Sequence, residues 1–279
     1  MLQFDAEVLG NRPIAPSWKE LVLRWEPKAG PPLPGQFLTL RAAPTWDPLL
    51  RRPLAFASYR LDGPRGPTVS VLYQVRGKAT GLLGELARGS TVDVLGPLGH
   101  GFPLPLPGET PVLAAGGVGL GPVLFLAETL ERRRIAGGEN GVPAPFVVGF
   151  RTAAAMPDIL FPEGLVLCTD DGSAGRRGTP VDWISDVMAS SAGTHVYSCG
   201  PAPMLAALAR LAKERGFRAS LSAEQWMACG VGACMGCVLP KPEGRGFVRA
   251  CTEGPVFELD EIDWEAETRR TAGARGGDA

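Results

Sequence analysis

Residues 111–134 read PVLAAGGVGLGPVLFLAETLERRR, a buried strand, a glycine turn and a helix in immediate succession. The apolar run at 112–115 is short enough for a strand covered on both faces. Pro122 suits the first helical position, and Val123, Leu126, Ala127 and Leu130 fall on one stripe of a helix over 122–134. The turn between them, Gly116-Gly117-Val118-Gly119-Leu120-Gly121, lets a backbone approach a pyrophosphate while the helix start offers free N–H groups. Its spacing is G-G-x-G-x-G and not the G-x-G-x-x-G of a standard Rossmann domain. A tight strand-to-helix turn with no ligand is the alternative reading of this loop taken alone.

Downstream the same rhythm repeats. Short buried strands are expected at 146–150, 165–168 and 195–198, and a second helix at 203–215 with Met204, Leu208 and Leu211 on one face. Strands alternating with helices predict a parallel sheet with helices on both faces, over 106–220. Cys199-Gly200-Pro201 follows the strand ending at Ser198, so it belongs at the carboxyl edge where ligands collect. A buried structural thiol is the plain alternative for Cys199.

Upstream the pattern is different. Runs such as Phe37-Leu38-Thr39-Leu40, Val69-Ser70-Val71-Leu72-Tyr73 and Thr91-Val92-Asp93-Val94-Leu95 alternate with turn clusters such as Pro31-Pro32-Leu33-Pro34-Gly35. Many short, evenly spaced strands predict an antiparallel barrel over 1–105, with one short helix at 80–87. The proline-rich 102–108 cannot continue a strand ladder and marks the boundary. Within this half, Arg51-Arg52-Pro53-Leu54 is expected between two strands, where paired arginines clamp a phosphate or simply stay solvated. Gly77-Lys78-Ala79-Thr80-Gly81 presents amides and a hydroxyl at a helix start. His100 sits in a glycine loop and His195 in a strand; the first contacts a ligand or solvent, and the second reads as packing.

Past residue 221 lies a third module, through 264. Cys229, Cys234, Cys237 and Cys251 space as C-x4-C-x2-C and then a distant cysteine, the plant-type ligand pattern of a [2Fe–2S] cluster. Gly230, Gly232 and Gly236 allow a tight loop that turns amides toward sulfur, and Ala228, Val231, Ala233 and Met235 form a small apolar wall. Zinc is the competing metal, although its structural sites usually show two short C-x2-4-C pairs. Disulfides are disfavoured by three cysteines within nine residues. The polar stretch 265–279 is expected to stay disordered.

Composition bounds the remaining possibilities. A charged fraction of 20% with formal net charge −1 excludes an extended nucleic-acid footprint, and 45% hydrophobic residues suit a globular chain of 279 residues. The most apolar stretch, 111–130, is interrupted by five glycines or prolines after its first residue, so it is not a membrane span. Asp5 and Glu7 stand where an export signal needs a basic and then apolar run. Six cysteines without such a signal suit a reducing cytoplasm.

In order, the arginine-bearing barrel, G-K-A-T, G-P-L-G-H-G-F, A-G-G-V-G-L-G-P, T-D-D-G-S, C-G-P-x-P-M and A-C-G-V-G-A-C-M-G-C resemble the electron-transfer subunits of class 1B dihydroorotate dehydrogenases, in the ferredoxin reductase-like superfamily. The resemblance spans about residues 3–262. It implies FAD in the barrel, at Arg52, Pro53, Leu54 and Ala55 and at Gly77, Lys78, Ala79 and Thr80. It implies NAD at Gly117, Gly119, Gly121, Cys199 and Gly200, and the [2Fe–2S] cluster on the four cysteines. It further implies a catalytic partner containing FMN, a heterotetramer, and a place in pyrimidine biosynthesis. Two positions depart from the family's habit: Ala55 offers no hydroxyl to the flavin, and Trp226 stands where arginine is common.

A flavin is the natural intermediary between a two-electron nicotinamide and a one-electron cluster. No acid–base constellation for a carbon substrate is visible. Three functions remain open from sequence: the dihydroorotate dehydrogenase electron-transfer subunit; a related reductase subunit serving a sulfide dehydrogenase or a ferredoxin:NADP transhydrogenase; and a non-enzymatic zinc-stapled binding module.

Overall fold

A computed structural model describes residues 1–63, 66–137, 143–187 and 193–275. The first half forms strands β1 (Leu2–Ala15), β2 (Trp18–Arg24), β3 (Phe37–Leu40), β4 (Arg52–Arg60) and β5 (Thr68–Gln74), helix α1 (Lys78–Gly84) and strand β6 (Thr91–Leu98). The six strands close into an antiparallel barrel in the order β1-β2-β5-β4-β3-β6. Val8, Leu21, Leu23, Leu38, Leu40, Phe56, Val71 and Val94 alternate inward along these strands and fill its interior. Trp25 caps this core, edge-on to Phe4 at 5.2 Å and to Phe56 at 5.3 Å, with its indole N–H donated to Gly30 O at 2.7 Å.

The second half follows the expected alternation: β7 (Thr110–Gly116), α2 (Leu120–Ala136), β8 (Phe146–Phe150), β9 (Val166–Thr169), β10 (Arg176–Arg177), α3 (Pro180–Val187), β11 (Thr194–Cys199), α4 (Ala202–Arg215) and β12 (Arg218–Ser222). Then come β13 (Val238–Pro240), β14 (Phe247–Arg249), β15 (Val256–Glu258) and α5 (Trp264–Arg275). The sheet order is β10-β9-β8-β7-β11-β12-β15, parallel except at the β15 edge. Along β7, Val112 and Ala114 pack with α3 and α4 residues such as Ile184 and Leu208. Leu113 and Ala115 face the opposite way, onto Val123 and Leu126 of α2. That period of two puts helices on both faces.

Three expectations need correction. Arg52, Pro53 and Leu54 lie in strand β4, paired with Leu40, Thr39 and Leu38, and not in a loop between strands. The expected boundary at 220/221 falls inside β12, and β15 returns to pair with that strand, so the cysteine module is sewn onto the parallel sheet. The tail from 265 begins as α5 and is not disordered through Arg275; residues 276–279 lie outside the described residues. Among the described residues no helix is long and apolar enough to cross a membrane.

Candidate functional site

From β7 the sheet grows to one side through β8, β9 and β10, and to the other through β11 and β12. The carboxyl ends of β7 and β11 therefore flank a switch point, the place where open parallel sheets bind ligands. The turn after β7 meets the turn after β11 closely there. A Cβ at Gly119 would stand 2.1 Å from Cys199 O and 2.8 Å from Gly200 N, so only glycine fits. Gly117 has positive φ (+53°) with open space on its Cβ side. Gly121 faces Ala57 of β4 instead, 3.4 Å from its notional Cβ, and seats α2 on the barrel.

The barrel closes the other side. A cleft of about 270 Å³ lies at the junction, lined by Arg52, Pro53, Leu54, Ala55, Leu72, Tyr73, Gln74, Arg76 and Thr80 from the barrel half. Val118, Gly119, Pro122, Cys199, Gly200, Ser222, Ala223, Glu224, Gln225, Met227 and Pro255 line it from the other half. The expected arginine pair is divided. Arg51 is spent on the barrel, with Nη2 2.6 Å from Asp93 Oδ2 and Nη1 donating to Asp93 O at 3.2 Å. Arg52 faces the cleft, joined there by Arg76, and neither makes an ion pair among the described residues.

Of the G-K-A-T turn, only Thr80 reaches the cleft lining. Its hydroxyl accepts from Arg76 N–H at 2.9 Å and Gly77 N–H at 3.1 Å, and so fixes the start of α1. Lys78 pairs with Asp47 of the loop between β3 and β4, and Ala79 is buried. His195 is buried, stacked on Tyr197 at 4.0 Å and 2.8 Å from Ser220 Oγ, a packing role as expected. The His100 ring lies against Glu253 O at 3.1 Å, outside the cleft lining. Asp171 turns its carboxylate onto Ser173, accepting at 2.9 Å from the amide and 2.6 Å from the hydroxyl.

The cleft suits a flavin nucleotide. Two guanidinium groups with no carboxylate partner among the described residues provide for phosphate, and an apolar stretch (Pro53, Leu54, Leu72, Pro122, Met227) provides for a ring system. Gln74 Oε1 is a buried acceptor on this lining with no hydrogen-bond partner. A donor such as the N–H on the pyrimidine edge of an isoalloxazine would satisfy it. Sequence reasoning missed the wall from Ser222 to Met227, because nothing local marks it. Burial pushes the Cys199 thiol on this wall up to about 12, against a Ser222 hydrogen bond that lowers it. It is therefore not a poised nucleophile.

The cysteine loop follows directly from that wall. Cys229 is influenced chiefly by Cys234 among the thiols and Cys251 by Cys237, but among the described residues no three metal-ligating side chains stand close enough together to hold an ion. What favours a two-iron centre over a single zinc is the C-x4-C-x2-C spacing with its distant fourth cysteine. Backbone amides point at the sulfurs: Val231 N to Cys229 Sγ at 3.5 Å, Gly232 N to Cys251 Sγ at 3.2 Å and Gly236 N to Cys234 Sγ at 3.4 Å. Burial raises the Cys229 thiol, but the backbone N–H groups of Val231, Cys234 and Ala233, with the Cys234 side chain, outweigh it and bring it to about 7. Burial, reinforced by the neighbouring Cys237, pushes Cys251 up to about 12. Cys251, raised in this way, becomes thiolate only when a cationic centre compensates it. Gly232 earns its place through φ of +82° and through Thr252, whose Cγ2 would sit 2.8 Å from a Cβ there.

A barrel joined to a parallel sheet by a phosphate-ready, apolar cleft defines a flavin oxidoreductase of the ferredoxin reductase-like class. A solved NADH-dependent reduced ferredoxin-NADP oxidoreductase superposes with TM-score 0.77 at 26% identity, covering 96% of this chain and 93% of that chain. The ferredoxin reductase in carbazole 1,9a-dioxygenase shares the fold at TM-score 0.64, with 22% identity over 77% of this chain and 66% of that chain. The iron–sulfur cluster binding domain of dihydroorotate dehydrogenase B matches residues 224–263. The dihydroorotate dehydrogenase B (NAD(+)) electron transfer subunit of Geobacillus thermodenitrificans is 39% identical over 262 residues, covering 91% of this chain and 96% of its own. That of Desulforamulus reducens is 34% identical, covering 94% and 98%. The chain belongs to this family of electron transfer subunits.

Proposed function

We propose that this chain carries electrons between a catalytic subunit that oxidises dihydroorotate on FMN and NAD, through a [2Fe–2S] centre on Cys229, Cys234, Cys237 and Cys251 and FAD in the cleft. It acts in a heterotetramer in the cytoplasm, in pyrimidine biosynthesis. The observation that carries this reading is the shared wall. Ala223, Glu224, Gln225 and Met227 line the cleft two to six residues before Cys229, while the cysteine loop packs back on the barrel, with Gly230 close to Thr39 and Leu98. When bound, a flavin exchanges two electrons as hydride with nicotinamide and single electrons with an iron–sulfur centre.

The residues of the chain bind and shield. Arg52 and Arg76 offer charge-assisted hydrogen bonds to a pyrophosphate. Leu54, Leu72 and Met227 exclude water. The Gly117 turn and Cys199-Gly200 receive the dinucleotide at the switch point. The cleft lining contains one carboxylate, Glu224, and no histidine, which suits transfer of electrons but not deprotonation of a carbon acid. That chemistry falls to the partner. Its docking surface is the cysteine module, where Trp226, Val231, Met235 and Phe247 are all exposed.

The test is anaerobic turnover by the isolated chain. It should oxidise NADH with ferricyanide as acceptor and leave dihydroorotate untouched. Failure to oxidise NADH with flavin and cluster both present would overturn the reading. A reductase subunit serving another oxidoreductase is favoured by the 96% superposed coverage with the ferredoxin-NADP enzyme. It takes over if electrons pass to other acceptors but never from a dihydroorotate-oxidising partner.

A further inference from the structure

Helix α5 begins at Trp264, one residue past the matched iron–sulfur domain, and it is a polar helix with a buried carboxylate. Glu267 is only 2% exposed. It accepts a short hydrogen bond from Gln225 Nε2, and Arg270 Nε and Nη2 donate to its two oxygens at 3.0 Å. Arg270 Nη2 also donates to Gln225 Oε1 at 2.7 Å. The three side chains form a closed ring in which both ends of the Gln225 amide are satisfied.

Gln225 itself is 7% exposed, lines the flavin cleft, and stands four positions before Cys229. The helix that grips it is anchored on two bodies. Thr268 Oγ1 donates to Ala202 O at the start of α4 at 3.2 Å, and Arg210 of α4 pairs with Glu265 at 2.6 Å. On the other side, Asp263 N donates to Pro240 O of β13 at 2.9 Å, and Trp264 is buried in the core that contains Cys237 and Cys251. A buried carboxylate held by an arginine and an amide is expensive to desolvate, so its return lies in what it orients.

We propose that Glu267 and Arg270 are positioning residues. Through Gln225 they fix the 223–227 segment, and with it the cleft wall on the cofactor side and the lead into the first cluster ligand. The inference rests on the reading of the cleft as the FAD site. C-terminal helix α5 thereby couples the flavin cleft to the cysteine loop, although it supplies no residue to the cleft lining and no ligand cysteine.

The experiment measures FAD dissociation by flavin fluorescence and records visible circular dichroism of the iron–sulfur bands on the full chain. Gln225→Glu sets two carboxylates against one arginine. It should weaken FAD at least tenfold and alter the cluster dichroism. The double variant Gln225→Glu with Glu267→Gln exchanges acid and amide, keeps a carboxylate for Arg270, and should recover FAD affinity to within about threefold and restore the spectrum. Thr268→Ala loosens the same helix without touching the ring, and should lower the melting temperature while leaving FAD affinity and dichroism unchanged. Equal effects of Thr268→Ala and Gln225→Glu on FAD and dichroism would overturn the proposal, as would a double variant no better than the single one. Wild type that binds no FAD overturns the reading of the cleft itself, and the proposal with it.

Discussion

Gly119 and Cys199 touch backbone to backbone: a Cβ on Gly119 would stand 2.1 Å from the Cys199 carbonyl oxygen. That contact brings the glycine turn after β7 and the Cys-Gly-Pro turn after β11 into one crevice, the proposed dinucleotide site. Gly119→Ala must push the two turns apart. It should destabilise the chain by about 1–3 kcal/mol, the range for overpacking, and raise the NADH KM about tenfold through misplacement. Gly117→Ala meets open space and pays only for its positive φ, about 1 kcal/mol. Thermal melts and NADH kinetics of the two variants distinguish them, and equal KM values would show that the contact is not part of the crevice.

The two adjacent arginines should separate cleanly. Arg52→Ala removes a charge-assisted phosphate contact and should weaken FAD by about 1.5–3 kcal/mol. Arg51→Ala loses its bonds to Asp93 and should lower stability by about 1–2 kcal/mol with FAD affinity unchanged. Flavin retention on gel filtration and denaturant midpoints report each effect. Equal FAD occupancy in wild type and Arg52→Ala contradicts the assignment.

Ala55 lines the cleft without a hydroxyl. Ala55→Ser places a donor there, and the expected outcome is a shifted flavin potential or hydride-transfer rate in stopped-flow reduction by NADH. No change in either would place the side chain away from the reacting ring.

His195 carries a pH dependence of stability. Burial holds its imidazole below the ordinary value of 6.5, with Arg218 adding to the effect and Glu258 and Glu109 opposing it. Its folded-state pKa is thus depressed, and the unfolded chain binds the proton more readily. Its contribution is complete above about 6.5 and falls away as the pH drops toward the folded value. His195→Gln should flatten the stability–pH slope between pH 7.5 and the acid side of 6.5. An unchanged slope in urea titrations would remove His195 from the account.

The parts legible in the sequence were those with local signatures. The apolar stripes of α2 and α4 and the short strands between them needed only periodicity. What was missed depends on distant segments. Nothing adjacent to Arg76 distinguishes it from a solvated cation, yet the barrel brings it beside Arg52. The wall from Ser222 to Met227 becomes a wall only when β12 is paired with β11 and β15. Helix α5 looked like a polar tail because the residue that holds it, Glu267, is of a type that composition assigns to solvent.

Electron transfer from the proposed partner requires the cysteine module to be covered, and Trp226 and Phe247 stand exposed on it. Phe247→Glu should block assembly with the catalytic subunit, as seen by size-exclusion chromatography, while ferricyanide reduction by NADH stays near wild type. Intact assembly would move the docking surface elsewhere.

The most direct measurement mixes the purified chain, loaded with FAD and cluster, with an FMN-containing dihydroorotate dehydrogenase catalytic subunit from the same source, and follows absorbance at 340 nm after adding dihydroorotate and NAD. NADH formation matched by orotate is expected, present only when both proteins are mixed and absent with Cys237→Ser. Orotate formation without NADH, despite a stable complex, would contradict it.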